Sequence, residues 1–76
     1  MITAIILGYN PTLSLTIQKY YFKLGYRWPD NDPTHNDVPD ALNQPILVLY
    51  NNDKILTYRR NIKYIYGANY IINLEG

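Results

Sequence analysis

The chain has no cysteine, which excludes disulfide staples and thiolate metal sites. It has one histidine, His35, so a Ser/His/Asp or similar nucleophilic constellation has few parts to draw on. Its four glycines are scattered, and neither G-x-x-x-x-G-K-[ST] nor G-x-G-x-x-G occurs, so no glycine-rich phosphate cradle is present. No stretch approaches the roughly 20 apolar residues that a membrane span needs. The opening "MITAIILGYN" lacks a basic segment and a long enough apolar run for a secretory leader. Charge of one sign is missing too. The formal net charge is +1, so no global field draws in nucleic acid or membrane. These absences predict a soluble chain in a reducing compartment, the cytoplasm.

What remains is 76 residues rich in tyrosine, with nine of them, and one tryptophan, Trp28. That length allows a single domain, residues 1–76, burying only roughly 60 % of its unfolded surface. Domains this small usually need a staple or a partner subunit. Without cysteine, aromatic packing and self-association are the supports expected.

"ITAIIL" (2–7) is β-branched and apolar on both alternations, the pattern of a strand buried on two faces. "GYNPT" ends it, with Asn10 placed to cap a helix and Pro11 to begin it. The helix should run to about Leu24, where Gly25 supplies a left-handed C-terminal residue. Leu13, Ile17, Tyr20, Tyr21 and Leu24 form a stripe at core-facing spacing. Leu15 and Phe22 share a face opposite that stripe, which marks them as an oligomer or partner interface. "YRW" (26–28) reads as a brief extended segment. Residues 29–45 hold four of the five prolines and form an irregular loop, longer than a compact domain tolerates without purpose. "PILVLY" (45–50) is a central strand, "NNDK" a turn and "ILTY" (55–58) the returning strand. Residues 59–74 admit two readings, either a connection through 59–68 with a last strand at 70–74, or a hairpin of 62–66 against 70–74. The first is favoured.

The expected fold is α+β, in the order β-α-β-β-β, with one helix on a four- or five-stranded, mainly antiparallel sheet. One helix covers one sheet face, yet residues 2–7 and 46–50 are apolar on both. The second face must meet the long loop, the 59–68 segment or another subunit, and a homo-oligomer is predicted.

Two clusters carry candidate chemistry. "DNDPTHND" offers Asp30, Asp32, His35 and Asp37 as ligands, but a calcium loop wants glycine at its sixth position and glutamate at its twelfth. Here these are His35 and Ala41, so the reading is a self-capping loop and no metal. In "TYRRNIKYIYGANY" (57–70), four tyrosines interleave with Arg59, Arg60 and Lys63. Stacking on such rings is worth roughly 1–3 kcal/mol per base while arginines meet phosphates, so nucleotide, nucleic acid and protein partners all fit its chemistry. The plain alternative is strand tyrosines filling a small core. Trp28 either closes the core after the helix or anchors a pocket lip beside Tyr26, Arg27 and Tyr58, residue types enriched at interaction hot spots.

"YYFKLGYRWPDND" and "PILVLYNNDKILTYRR", spanning about residues 17–58, resemble small accessory proteins of tailed bacteriophages. Gly25, Tyr26, Trp28, Pro45 and Tyr58 carry the likeness; the Asp/Pro loop is longer here and the tail richer in tyrosine. The resemblance implies action on the host by stoichiometric binding, either blocking a defence protein or sequestering a nucleotide signal. The expected function is therefore a non-catalytic, cofactor-free inhibitor of a host defence factor, with a nucleic-acid- or nucleotide-binding module on 57–70 as the alternative. Trp28, Tyr58, Arg59, Arg60, Lys63 and Tyr64 are the expected ligand or partner surface, and Leu15 and Phe22 the expected interface between subunits.

Overall fold

Asn10 and Gly25 set the limits of the one α-helix among the described residues. The computed structural model describes residues 1–29, 37–65 and 67–75. Strand β1 (Ile2–Ile6) leads into α1 (Pro11–Lys23), followed by β2 (Ile46–Tyr50), β3 (Ile55–Arg59), a single 3₁₀ turn (Ile62–Tyr64) and β4 (Tyr70–Asn73). Asn10 Oδ1 accepts the Leu13 N–H at 3.0 Å, with Pro11 at the first helical position where its missing N–H costs nothing. At the other end Gly25 takes φ +95°. Its N–H donates to Phe22 O and that of Tyr26 to Tyr21 O, each at 3.0 Å, a Schellman pair that turns the chain sharply off the helix.

The four strands form a mixed sheet in the order β3-β2-β1-β4. The β1–β2 and β2–β3 pairs are antiparallel, and β1–β4 is parallel. The architecture is the expected α+β class, with the last strand at Tyr70–Asn73 and, among the described residues, a 3₁₀ turn at Ile62–Tyr64 where the alternative reading put a strand. The extended segment at 26–28 contributes a single bridge, Arg27 to Ile55. Among the described residues no helix is long and apolar enough to cross a membrane.

Strand register sorts side chains onto two faces. Ile5, Leu7, Leu47, Leu49 and Leu56 pack with Trp28 beneath α1. Ala4, Ile6, Ile46 and Val48 face the other way, onto Ile65, with Ile2, Tyr50 and Ala68 at the margin. Strands β3 and β4 lie at opposite edges, so the 60–69 connection must cross the whole sheet, and Ile65 and Ala68 are what it lays on the second face. Of the three covers considered for that face, the described residues show the 59–68 segment, through Ile65 and Ala68.

The helix corrects the expected stripe. Its two fully buried side chains are polar, Ser14 and Gln18, both at 0 % exposure. Leu13, Ile17 and Tyr21 flank them on one side and Leu15 and Phe22 on the other, all half-buried. Phe22 packs against the same core cluster as Leu13. Tyr20 and Leu24, assigned to the core stripe, are exposed. The buried face is thus rotated toward Leu15 and Phe22, which border it and do not oppose it. Centring the stripe on apolar residues alone missed this, because the middle of the face is held by hydrogen bonds. Gln18 Nε2 donates to Ser14 Oγ at 3.0 Å and to Asp40 O at 2.6 Å, while Asp40 N–H donates to Gln18 Oε1 at 2.9 Å. The amide pairs with residue 40 as a strand backbone would, satisfying its own buried polar atoms and tying the end of the 29–45 loop to the helix.

Candidate functional site

Strand β3 alternates Leu56 and Tyr58 onto the helix face with Ile55, Thr57 and Arg59 onto the other, as its pairing with β2 fixes. Because β3 is an edge, side chains from both faces meet at its rim. There Trp28, Pro29, Thr57, Tyr58 and Arg59 line an open hollow of about 350 Å³, within the range that small-molecule sites occupy.

Trp28 is the back wall. The turn at Gly25 swings the chain alongside β3, where Arg27 N–H donates to Lys54 O at 3.0 Å and Arg27 O accepts from Leu56 N–H at 2.9 Å. That bridge delivers Trp28 into the core at 4 % exposure. Its Nε1–H donates to Val38 O at 3.2 Å, which satisfies the one polar atom of a buried indole. Tyr58 meets the indole edge-on, with ring centroids 6.2 Å apart at 75°, and remains 39 % exposed. Trp28 thus closes the core and also lines the hollow.

Arg59 is held on the other side of the strand. Nη1 donates to Tyr58 O at 2.8 Å and to Thr57 Oγ1 at 3.4 Å, and Nη2 to the Tyr50 hydroxyl at 3.2 Å. These bonds fix the fork and leave roughly two of the five guanidinium N–H donors for a ligand. The combination offers a ring face and a positioned cation, suited to a planar group bearing negative charge.

The six residues expected to form one surface divide. Trp28, Tyr58 and Arg59 come together. Arg60, Lys63 and Tyr64 do not line the hollow. Arg60 is exposed just beyond β3, and Lys63 sits 5.2 Å from the Tyr64 ring centroid on the 3₁₀ turn. Tyr26, expected near Trp28, points elsewhere. Its hydroxyl donates to Asn51 Oδ1 at 2.7 Å and its ring packs edge-on to Tyr21 at 5.1 Å. Burial first, then Tyr26 and Tyr20, push the Tyr21 hydroxyl above its ordinary pKa. Sequence reasoning missed Pro29, Thr57 and the anchoring Tyr50. Thr57 and Arg59, two apart on a strand next to Tyr58, were the available signal. Asp30, Asp32 and His35 lie outside the described residues. Asp37 is exposed, and Asp40 accepts the Ala41 N–H at 2.7 Å.

No protein-family model, curated protein or solved structure matches this chain.

Proposed function

We propose that this chain is a non-catalytic binding protein that acts by occupancy, seating a small planar anion of the nucleotide type in the hollow at the rim of β3. The observation that carries the reading is the juxtaposition of a half-exposed Tyr58 ring, backed by Trp28, with an Arg59 guanidinium already fixed by Tyr50, Thr57 and Tyr58 O. The ring stacks the base and Arg59 meets the phosphate. Pre-positioning lowers the ordering cost of binding. In the setting that the resemblance to phage accessory proteins implies, one bound signal per chain withdraws that signal from a host defence pathway.

The test is a thermal-shift series over mononucleotides and cyclic dinucleotides. A true ligand at a hundredfold excess over Kd stabilises by about 2.7 kcal/mol, which raises Tm by roughly 10–20 °C for a domain of this size. Tyr58→Ala and Arg59→Ala should each abolish the shift while the protein stays folded by circular dichroism. No shift across the panel would turn the assignment toward a protein target.

A further inference from the structure

We propose that β4 pairs edge to edge with the β4 of a second copy, in antiparallel register centred on Ile72, so that two four-stranded sheets become one sheet of eight.

The starting point is a strand that, among the described residues, has a neighbour on one side only. Among the described residues β4 pairs with β1 alone, and none of its residues belongs to either core cluster. Tyr70, Ile71, Ile72 and Leu74 are 54, 56, 42 and 43 % exposed. The register with β1 places Tyr70 and Ile72 on the helix face and Ile71 on the other, so the strand is apolar on both sides. Natural edges are usually defended by lysine, proline, a bulge or a covering segment. Residues 70–74, "YIINL", contain no charge and no proline.

The backbone is set for the same partner. Leu74 N–H donates to Ile6 O at 2.8 Å. The alternation of a parallel ladder then turns the N–H and C=O of Tyr70 and Ile72 toward β1, and those of Ile71 and Asn73 outward. A two-fold axis through Ile72 and normal to the sheet matches Ile71 with Asn73 of the partner subunit, joining outward groups to outward groups. The same axis sets Tyr70 against the partner's Leu74 and Ile72 against the partner's Ile72, an apolar row on one face. Glu75 falls opposite the partner's Asn69, so no like charges meet. The interface is self-complementary, as a two-fold dimer requires, which is why a second copy fits better than an arbitrary strand. With four side chains about half exposed, each copy contributes at most on the order of 400 Å², and the pair at most roughly 800 Å², short of the ~1,200 Å² of a standard stable interface. The dimer is therefore concentration-dependent.

Sedimentation across micromolar to millimolar concentration should show the mass rising from monomer toward dimer. Ile72→Lys sets two cations at the axis and should leave a monomer throughout, with unchanged circular dichroism. The cysteine-free chain allows a second, register-specific measurement. In the proposed pairing the Ile72 positions are a close, non-hydrogen-bonded pair, within disulfide reach, while the two Ile71 positions lie about 8 Å apart. Under mild oxidation Ile72→Cys should cross-link roughly tenfold faster than Ile71→Cys. A folded wild type that stays monomeric at millimolar concentration overturns the proposal. So does an Ile72→Lys dimer, or equal cross-linking by the two cysteine variants.

Discussion

The two edges of the sheet have met the same hazard in opposite ways. Strand β3 is bridged by Arg27, walled by Trp28 and finished by Arg59, whose guanidinium takes up the outward carbonyl of Tyr58. Strand β4 has no such device among the described residues and shows hydrocarbon on both faces. Among the described residues one helix and one crossover cover two sheet faces and one edge. The covered edge became a rim around a hollow, and the uncovered one stayed a strand that still has a ladder to complete.

The sharpest way to test the contrast is to truncate one side chain on each edge. Leu56→Ala, at a position with 0 % exposure, should cost about 2–5 kcal/mol in denaturant unfolding of dilute protein. Ile72→Ala should cost about 1 kcal/mol or less, since its side chain already meets water. Equal losses would break the comparison. Next in size is Gln18→Leu, which strips Asp40 of both amide partners and loosens the segment that supplies Val38 O to Trp28; about 2–3 kcal/mol is expected. Near-neutral stability would mean that the loop is held by other contacts. Gly25→Ala should cost about 1 kcal/mol, because φ +95° is strained for any side chain. Since that turn aims Arg27 at β3, hydrogen exchange of the Leu56 amide should quicken as well.

The smallest effect is in pH. Tyr21 has its pKa raised in the fold above its ordinary 10.0, so the folded state holds that proton more tightly than the unfolded chain does. The associated stability is fully present below pH 10 and is lost as pH rises through the folded value. Tyr21→Phe should flatten that alkaline loss in urea titrations, leaving neutral-pH stability nearly unchanged. An unaltered slope would place the loss on other tyrosines.

Much of this fold was legible because local chemistry and tertiary packing agree. Asn10-Pro11 and Gly25 mark the helix ends, and runs apolar on both alternations mark β1 and β2 as central strands. The rotation of the helix was not legible. Ser14 and Gln18 look like solvent residues until Asp40, 22 positions from Gln18, is brought against them. The hollow was half legible. Trp28, Tyr58 and Arg59 stood out by type, but adjacency in sequence also drew in Arg60, Lys63 and Tyr64, which the crossover carries away from the rim. The surplus apolar surface was anticipated and put in the wrong place, on Leu15 and Phe22, because an edge strand's exposure depends on strand order and not on its own composition.

The parallel pairing of β1 with β4 has a mechanical consequence. The first and last strands run side by side in the same direction, clamped at their start by Ile2 N–H on Asn69 Oδ1 and at their finish by Leu74 N–H on Ile6 O. A force applied between Met1 and Glu75 would pull these strands lengthwise past each other, loading all the rungs between them together. A hairpin pulled apart at its open end gives way one rung at a time. For so small a body, this one should be unexpectedly hard to tear open along that line and compliant along others.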